Sequence, residues 1–301
     1  MSTVKHYLSL IKFSHTIFAM PFALIGFFVA VLSTPLSVVP GWHTTVIPEG
    51  FWPEMLKKLA LVIACMVTAR SAAMAFNRYL DRHFDAQNPR TAIREIPAGI
   101  IGAGSALRFT LLNCVLFVVA TWFINPLCFM LSPVALFVIL FYSYTKRFTA
   151  LCHLVLGLGL SLAPIGAYLA VTGQFALLPI LFSFTVLFWV SGFDIIFALQ
   201  DEAFDRSQGL HSIPAALGTR RALLVSRLLH LLSAGCVLAA GWYGAFGWLY
   251  WVGAAGFVAM LLYQHSLVKP GDLSRVNLAF MTANGIASVV FAVFVIADLF
   301  V

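Results

Sequence analysis

Asn77, Asp81 and Asp85 stand four residues apart in the stretch NRYLDRHFD, at the end of a long apolar run. At 3.6 residues per turn, positions i, i+4 and i+8 drift by only about 80° in total, so the three oxygen-bearing side chains share one helical face. Two carboxylates and an amide so placed can hold a hard divalent cation. Magnesium suits them, because it takes one or two carboxylates, keeps some waters and completes its shell with substrate phosphates. A second copy of the pattern lies in DIIFALQDEAFD, where Asp194, Phe197, Asp201 and Asp205 also fall on one face. Taken alone, one Asp-x-x-x-Asp is most simply a solvated helix end. Two copies, each closing an apolar helix in a chain poor in acid, argue for a site.

Basic residues accompany each acidic motif: Arg82 within the first, Arg90 and Arg94 after it, and Arg206 after the second. A further loop supplies Tyr144, Lys146 and Arg147. A cation channel calls for acids without neighbouring bases, and a proton relay has no need of paired metal-type carboxylates. Acids that hold metal beside bases that hold anions fit a metal-bridged polyphosphate, where such clamps stabilise a departing phosphate group. Solvated loops would account for the bases alone but not for the matched acids.

The elements that must carry these residues are membrane helices. The chain is 61% hydrophobic and 10% charged, against roughly 25% charged residues in soluble domains. Nine apolar segments, at about 14–33, 57–79, 105–123, 126–143, 151–171, 175–199, 222–241, 243–263 and 276–298, are each read as a span, since crossing a bilayer core takes about 20 helical residues. Spanning backbone must satisfy its own hydrogen bonds, so all nine are expected to be helices. The first is read as a retained helix, not a cleaved signal peptide, because no small-residue cleavage site follows it.

Lysine and arginine set the expected orientation. Lys5 and Lys12 precede the first segment, and the loops after the second, fourth, sixth and eighth are basic. The turns after the third, fifth and seventh carry no charge, and only Lys57 and Lys58 lie on the opposite side. This positive-inside pattern puts the amino terminus and the basic loops in the cytoplasm. The pI near 9.3 therefore reflects topology and gives no reason to expect a nucleic-acid partner. Seven of the eleven acids (Asp81, Asp85, Glu95, Asp194, Asp201, Glu202 and Asp205) lie in two short regions on that side. One continues to Ile96-Pro97-Ala98-Gly99 and the other to Ile213-Pro214-Ala215, which suggests two related halves, helices 1–4 and 5–8, with helix 9 appended in a single domain. The outer connection at 34–56 reads as an interfacial loop. Gly157, Gly159, Gly166 and Gly173 with Pro164 predict a close-packed, kinked fifth helix. Cys65, Cys114, Cys128, Cys152 and Cys236 show neither metal nor disulfide spacing and read as small core residues. His15, His83, His153 and His211 read as hydrogen-bonded interfacial residues before ligands, with His211 the most open between the two. The phenylalanines could wall an isoprenoid tunnel, but most are expected to face lipid or pack helices.

With these motifs in view, the chain resembles the UbiA superfamily of intramembrane aromatic prenyltransferases over nearly its whole length. Asn77, Asp81 and Asp85 match its first signature, and Arg90, Thr91, Arg94, Pro97 and Gly99 the segment that follows. Tyr142, Tyr144, Lys146 and Arg147 match the loop after helix 4. Asp194, Ala198, Asp201 and Asp205 match the second signature, with Phe197 at its tyrosine position and His211 where many relatives carry lysine. The resemblance implies an all-α bundle of nine transmembrane helices around a central cavity with a cytoplasmic cap. It implies two magnesium ions on the two aspartate motifs, bridging the diphosphate of a polyprenyl diphosphate, with Arg90, Arg94, Lys146, Arg147 and His211 as diphosphate ligands. Ionisation of the allylic C–O bond then leaves a carbocation for an electron-rich ring to attack. Within the superfamily the chain is most similar to 4-hydroxybenzoate polyprenyltransferases of ubiquinone or menaquinone biosynthesis, which implies a bacterial inner membrane. Naphthoate and other acceptors remain open, and a divalent-cation or anionic-solute transporter built on the half-repeat is the reading from another class.

Arg70 and Asp194 each lie seven residues before an acidic motif, two turns deeper on the same face. Ionisable residues at that depth are functional candidates by default. Arg70 is expected to hold an aromatic acceptor's acid group, and Asp194 to orient or deprotonate its phenol. The alternative is a structural ion pair between the two.

Overall fold

The computed structural model describes residues 3–12, 18–33, 37–38, 45–46 and 49–301. The chain opens with helix α1 (Thr3–Leu10) and α2 (Met20–Ser33), followed by two-residue strands β1 (Ser37–Val38) and β2 (Thr45–Val46) paired antiparallel. The long helices are α3 (Phe51–Leu80), α5 (Ala103–Ile124), α6 (Pro126–Thr145), α7 (Cys152–Thr172), α8 (Leu177–Ala198), α11 (Thr219–Tyr243), α12 (Trp248–Leu267) and α13 (Asn284–Asp298). Short helices α4 (Arg82–Gln87), α9 (Glu202–Ser207) and α10 (Ile213–Leu217) gather at the polar end.

Each of the nine apolar segments holds a helix among its described residues, and seven helices are long and apolar enough to cross a membrane, the last running from Leu278 through a π turn into α13. The protein is thus a multi-pass, all-α membrane protein, but the count of nine spans is not reproduced. Helix α2 has 14 residues, and residues 14–17 of its segment lie outside the described ones. Helix α12 is diluted by Trp248, Tyr250, Trp251, Tyr263, Gln264 and His265. Helix α3 starts six residues before the expected position. Gly50, at φ 82°, ends the outer connection in the left-handed region open to glycine, and Pro53 and Glu54 suit a first helical turn. Most of the rest of that connection lies outside the described residues.

Caps fix the other tight joints. Asn125 is the one residue between α5 and α6; its Oδ1 accepts from Cys128 N at 2.8 Å, and its Nδ2 donates to Leu169 O at 2.8 Å. Gly173, at φ 66°, closes α7.

Helix contacts form two circuits. One runs α2, α7, α8, α11, α12, α13 and back to α2; the other joins α3, α5, α6 and α7. The first is filled by aromatic packing, with Phe22, Phe182, Trp189, Tyr250, Phe257 and Phe291 fully buried. The second encloses an apolar chamber of about 360 Å³ lined by Cys65, Ala135, Ile139, Gly159 and Gly166 among others. Close packing in α7 rests on Gly157, where a Cβ would come 2.5 Å from Leu187 O and 2.3 Å from Ser191 Oγ. Gly159 and Gly166, expected to do the same, line the chamber and meet nothing closer than 3.9 Å. Gly26 supplies a further close approach, onto the carbonyl of Pro164.

Candidate active site

Both aspartate motifs sit where a helix breaks. Asp81 ends α3 and begins α4 at φ −88°, ψ 3°; Asp201 ends a 3-10 turn (Leu199–Asp201) and begins α9 at φ −104°, ψ 2°. The sequence reading of one continuous helical face is corrected at these two points. Each Asp adopts the bridge conformation between helix and extended chain, and the following helix re-aims its second carboxylate. The two motifs share this geometry although 120 residues separate them.

They converge on one polar cavity of about 650 Å³, whose wall includes Asn77, Asp81, Asp85, Asp194, Asp201 and Asp205. Arg70, Arg90, Arg94 and Lys146 line it too. Each motif aspartate meets a base. Arg94 Nη1 donates to Asp85 Oδ1 at 2.7 Å, Arg90 Nε to Asp201 Oδ1 at 3.0 Å, and Arg147 Nη2 to Asp81 Oδ1 at 2.9 Å. Lys146 Nζ stands 3.9 Å from Asp205 Oδ1. Asn77 Nδ2 donates to Asp81 Oδ2 at 3.1 Å. Asn88 Nδ2, from the segment after the first motif, donates to Asp201 Oδ1 at 3.0 Å and so ties the two motifs together. Asp81 lies one residue beyond the span of α3. Burial pushes its carboxyl above the usual range, and Lys146 and Arg147 draw it back.

The donor set fits magnesium. Asp85 Oδ2 and Asp205 Oδ1 are buried without a hydrogen-bond donor, and both are hard oxygen ligands. Among the described residues no three His, Cys, Asp or Glu side chains close into a complete protein cage. Magnesium does not ask for one, since waters and phosphates make up the rest of its shell.

Two expected diphosphate ligands are placed differently. Arg147 is not on the cavity wall: it stands behind Asp81, also donating to Leu80 O at 3.1 Å and Ser143 O at 2.9 Å. His211 is exposed and off the wall, because its own N–H donates to Lys146 O at 2.7 Å and turns the ring outward. His83 is exposed as well, and His15 lies outside the described residues.

Deeper in the cavity, the partner of Asp194 is His153, not Arg70. His153 Nδ1 lies 2.7 Å from Asp194 Oδ2, and no ion pair joins Asp194 to Arg70 among the described residues. The start of α7 packs against α8 and reaches the carboxylate first. Arg70 lines both the polar cavity and the apolar chamber, as do Met74, Tyr142, Leu156 and Leu160, so the two spaces adjoin across these side chains. Phe197, lacking the family's hydroxyl, lies under the Arg90 guanidinium at 5.4 Å and packs on Phe280 at 4.2 Å. With Phe18 and Phe193 these rings form one aromatic stretch of the wall, which Phe84, Tyr142 and Phe204 also line.

Sequence reading missed Asn88 and Arg78. Asn88 follows the first motif by three residues but lies just past the end of α4, in extended backbone at φ −92° and ψ 118°, so helical spacing does not place it. Arg78 is buried beside Asn77, on the cavity wall, with Nε and Nη1 lacking acceptors.

Apolar helices around a cavity whose acids and bases come in matched pairs describe a multi-pass membrane protein with a polar site whose chemistry can accommodate a metal-bridged phosphate ester. The chain belongs to the UbiA prenyltransferase family, whose model matches residues 19–286. It is 30% identical to a 4-hydroxybenzoate octaprenyltransferase of Tolumonas auensis, over 78% of this chain and 82% of that one. It is 31% identical to one of Nitrosospira multiformis, over 83% and 86%. Among solved structures, the apo UbiA homolog of Aeropyrum pernix matches with a TM-score of 0.76 and 27% identity, covering 95% of this chain and 97% of that one. The Archaeoglobus fulgidus homolog bound to DMAPP and Mg2+ shares the fold at a TM-score of 0.73 and 19% identity, over 98% and 99%.

Proposed function

We propose that this protein transfers a polyprenyl group from polyprenyl diphosphate to the ring of an aromatic acid, 4-hydroxybenzoate foremost, in quinone biosynthesis. The observation that carries the reading is the convergence of four carboxylates and their basic partners, from two separate motifs, on one cavity that adjoins an apolar chamber. The names of the curated relatives point to the same donor and acceptor.

Asn77, Asp81 and Asp85 would hold one magnesium ion, and Asp201 with Asp205 a second. Magnesium bound there supplies positive charge to the departing diphosphate. Arg90, Arg94 and Lys146 line the same space and would take phosphate oxygens by charge-assisted hydrogen bonds. Arg147 holds Asp81 in place. The apolar chamber would take the first isoprene units, and the aromatic wall of Phe18, Phe193, Phe197 and Phe280 would keep water from the allylic cation. Arg70, at the junction of the two spaces, would bind the acceptor's carboxylate. Asp194 would accept the phenol proton and make the ring more nucleophilic. The basic loops would set the amino terminus and the site on the cytoplasmic face of a bacterial inner membrane.

The test is the mass of the product formed by purified protein from a polyprenyl diphosphate and a panel of aromatic acids, 4-hydroxybenzoate and hydroxynaphthoates included. A prenylated 4-hydroxybenzoate with magnesium, and none with EDTA, is expected. Magnesium-independent behaviour, or no diphosphate release with any acceptor, would overturn it.

A further inference from the structure

We propose that His153 is the positioning residue for Asp194, fixing the carboxylate's rotamer and leaving Oδ1 as its working oxygen. The inference rests on the prenyl-transfer reading, in which Asp194 meets the acceptor. His153 is the second residue of α7, its side chain only 3% exposed. Its two ring nitrogens face different partners. Nδ1 lies 2.7 Å from Asp194 Oδ2, and Nε2 lies 3.3 Å from the backbone nitrogen of Ile213, the first residue of α10.

A backbone N–H can only donate, so Nε2 must be the acceptor and carry no proton. The ring proton is then on Nδ1, and the imidazole donates it to Asp194 Oδ2. The Ile213 N–H is one of the donors a helix start leaves without an intrahelical partner, so this bond is held in place by α10 itself. That loop is pinned in turn, with His211 N donating to Lys146 O at 2.7 Å and Ser212 Oγ accepting from Ala215 N at 3.2 Å.

Asp194 has no other hydrogen-bond partner among the described residues, and its side chain is 23% exposed, on the cavity wall. Without His153 the carboxylate would be free to turn. With it, Oδ2 is committed and Oδ1 is left without a hydrogen-bond partner among the described residues, on a side chain of the cavity wall. Because Nε2 is engaged, His153 cannot take up a second proton without giving up Ile213, so it is not the base. The acceptor's O–H bond breaks, the proton goes to Asp194 Oδ1, and the imidazole keeps its own proton throughout.

The two nitrogens can be removed separately. An asparagine amide reaches the place of Nδ1 and can donate to Asp194; a glutamine amide reaches that of Nε2 and can accept from Ile213. The full chain in lipid nanodiscs is assayed as wild type, His153→Asn, His153→Gln and His153→Ala. The readouts are kcat with 4-hydroxybenzoate, donor KM, and the magnesium-dependent release of diphosphate without acceptor. His153→Asn should stay within about threefold of wild-type kcat. His153→Gln and His153→Ala should fall by about tenfold or more, part of the 10²–10⁴ that a positioned base typically contributes. Donor KM and acceptor-free release should hold in all three.

Glutamine rescuing where asparagine fails would overturn the proposal, since the Ile213 bond and the loop would then be what matters. So would donor KM and kcat worsening in parallel, the mark of a purely structural role. Should His153→Ala fail to fold, the asparagine–glutamine contrast still decides. A wild-type protein inactive with every acceptor overturns both this inference and the functional reading. An active wild type matched by all three variants overturns this inference alone.

Discussion

A base that holds a carboxylate can hold a phosphate only by sharing or releasing its first partner. Arg90, Arg94 and Lys146 stand in that position, each beside one motif aspartate on the cavity wall. Asp81→Asn and Asp201→Asn change one charge and almost no volume, so the chain should still insert while transfer is abolished. Activity of either variant at ordinary magnesium, measured as prenylated product, would sink the two-motif metal site. The bases should separate by what they touch. Lys146→Ala, on the wall, should raise donor KM with kcat largely kept; one lost charge-assisted bond is worth about 1.5–3 kcal/mol, roughly tenfold to a hundredfold. Arg147→Ala, behind Asp81, should lower kcat at saturating donor instead. Identical KM effects from the two would place both on the diphosphate. The sequence named both residues but could not tell wall from buttress, because the distinction depends on the Leu80 and Ser143 carbonyls that draw Arg147 back. His211 was hidden for a similar reason: a backbone bond to Lys146 turns it outward, and no side-chain pattern records that.

Helices were legible from apolar runs, whereas their junctions were not. The i, i+4, i+8 spacing of Asn77, Asp81 and Asp85 is a true statement about an unbroken helix. The chain instead breaks at Asp81, and again at Asp201, where the proposed metal ligands also begin a new turn. Composition in α7 suggested close packing at every glycine; geometry restricts it to Gly157, since only that face of α7 lies against α8. Gly157→Ala would push a methyl into Leu187 O, and overpacking of this kind typically takes about 1–3 kcal/mol from stability. Because His153 and Asp194 meet across the same α7–α8 contact, the melting point and the transfer rate should fall together. A Gly157→Ala protein that melts and turns over like wild type would show that the two helices can slide apart freely.

At the scale of the whole molecule, the two helix circuits divide the labour. The aromatic circuit of α2, α7, α8, α11, α12 and α13 is tightly packed, and the circuit of α3, α5, α6 and α7 keeps the chamber open. The aromatic circuit is filled by Phe, Trp and Tyr and the chamber is lined mostly by smaller aliphatic side chains, but residue type does not fix a side chain's fate: on α8 itself, only the packing sorts Phe182 into a core and Phe197 onto a site wall. The chamber adjoins the polar cavity across Arg70, Met74 and Tyr142, so a long donor would extend into it from the diphosphate site, while a dimethylallyl group would not reach its far end. Gly166 borders the chamber, and a Cβ added there would meet nothing within 4 Å, so a larger side chain has room to enter without striking backbone. Gly166→Leu should therefore leave insertion and melting unchanged and cut kcat/KM for a long polyprenyl diphosphate about tenfold, the effect of roughly 1.4 kcal/mol. Dimethylallyl diphosphate should be used as before. Equal losses on both donors would mean that the leucine disturbs the diphosphate site. No loss on either would mean that the chain leaves the cavity by another route, past Phe18 and Phe280.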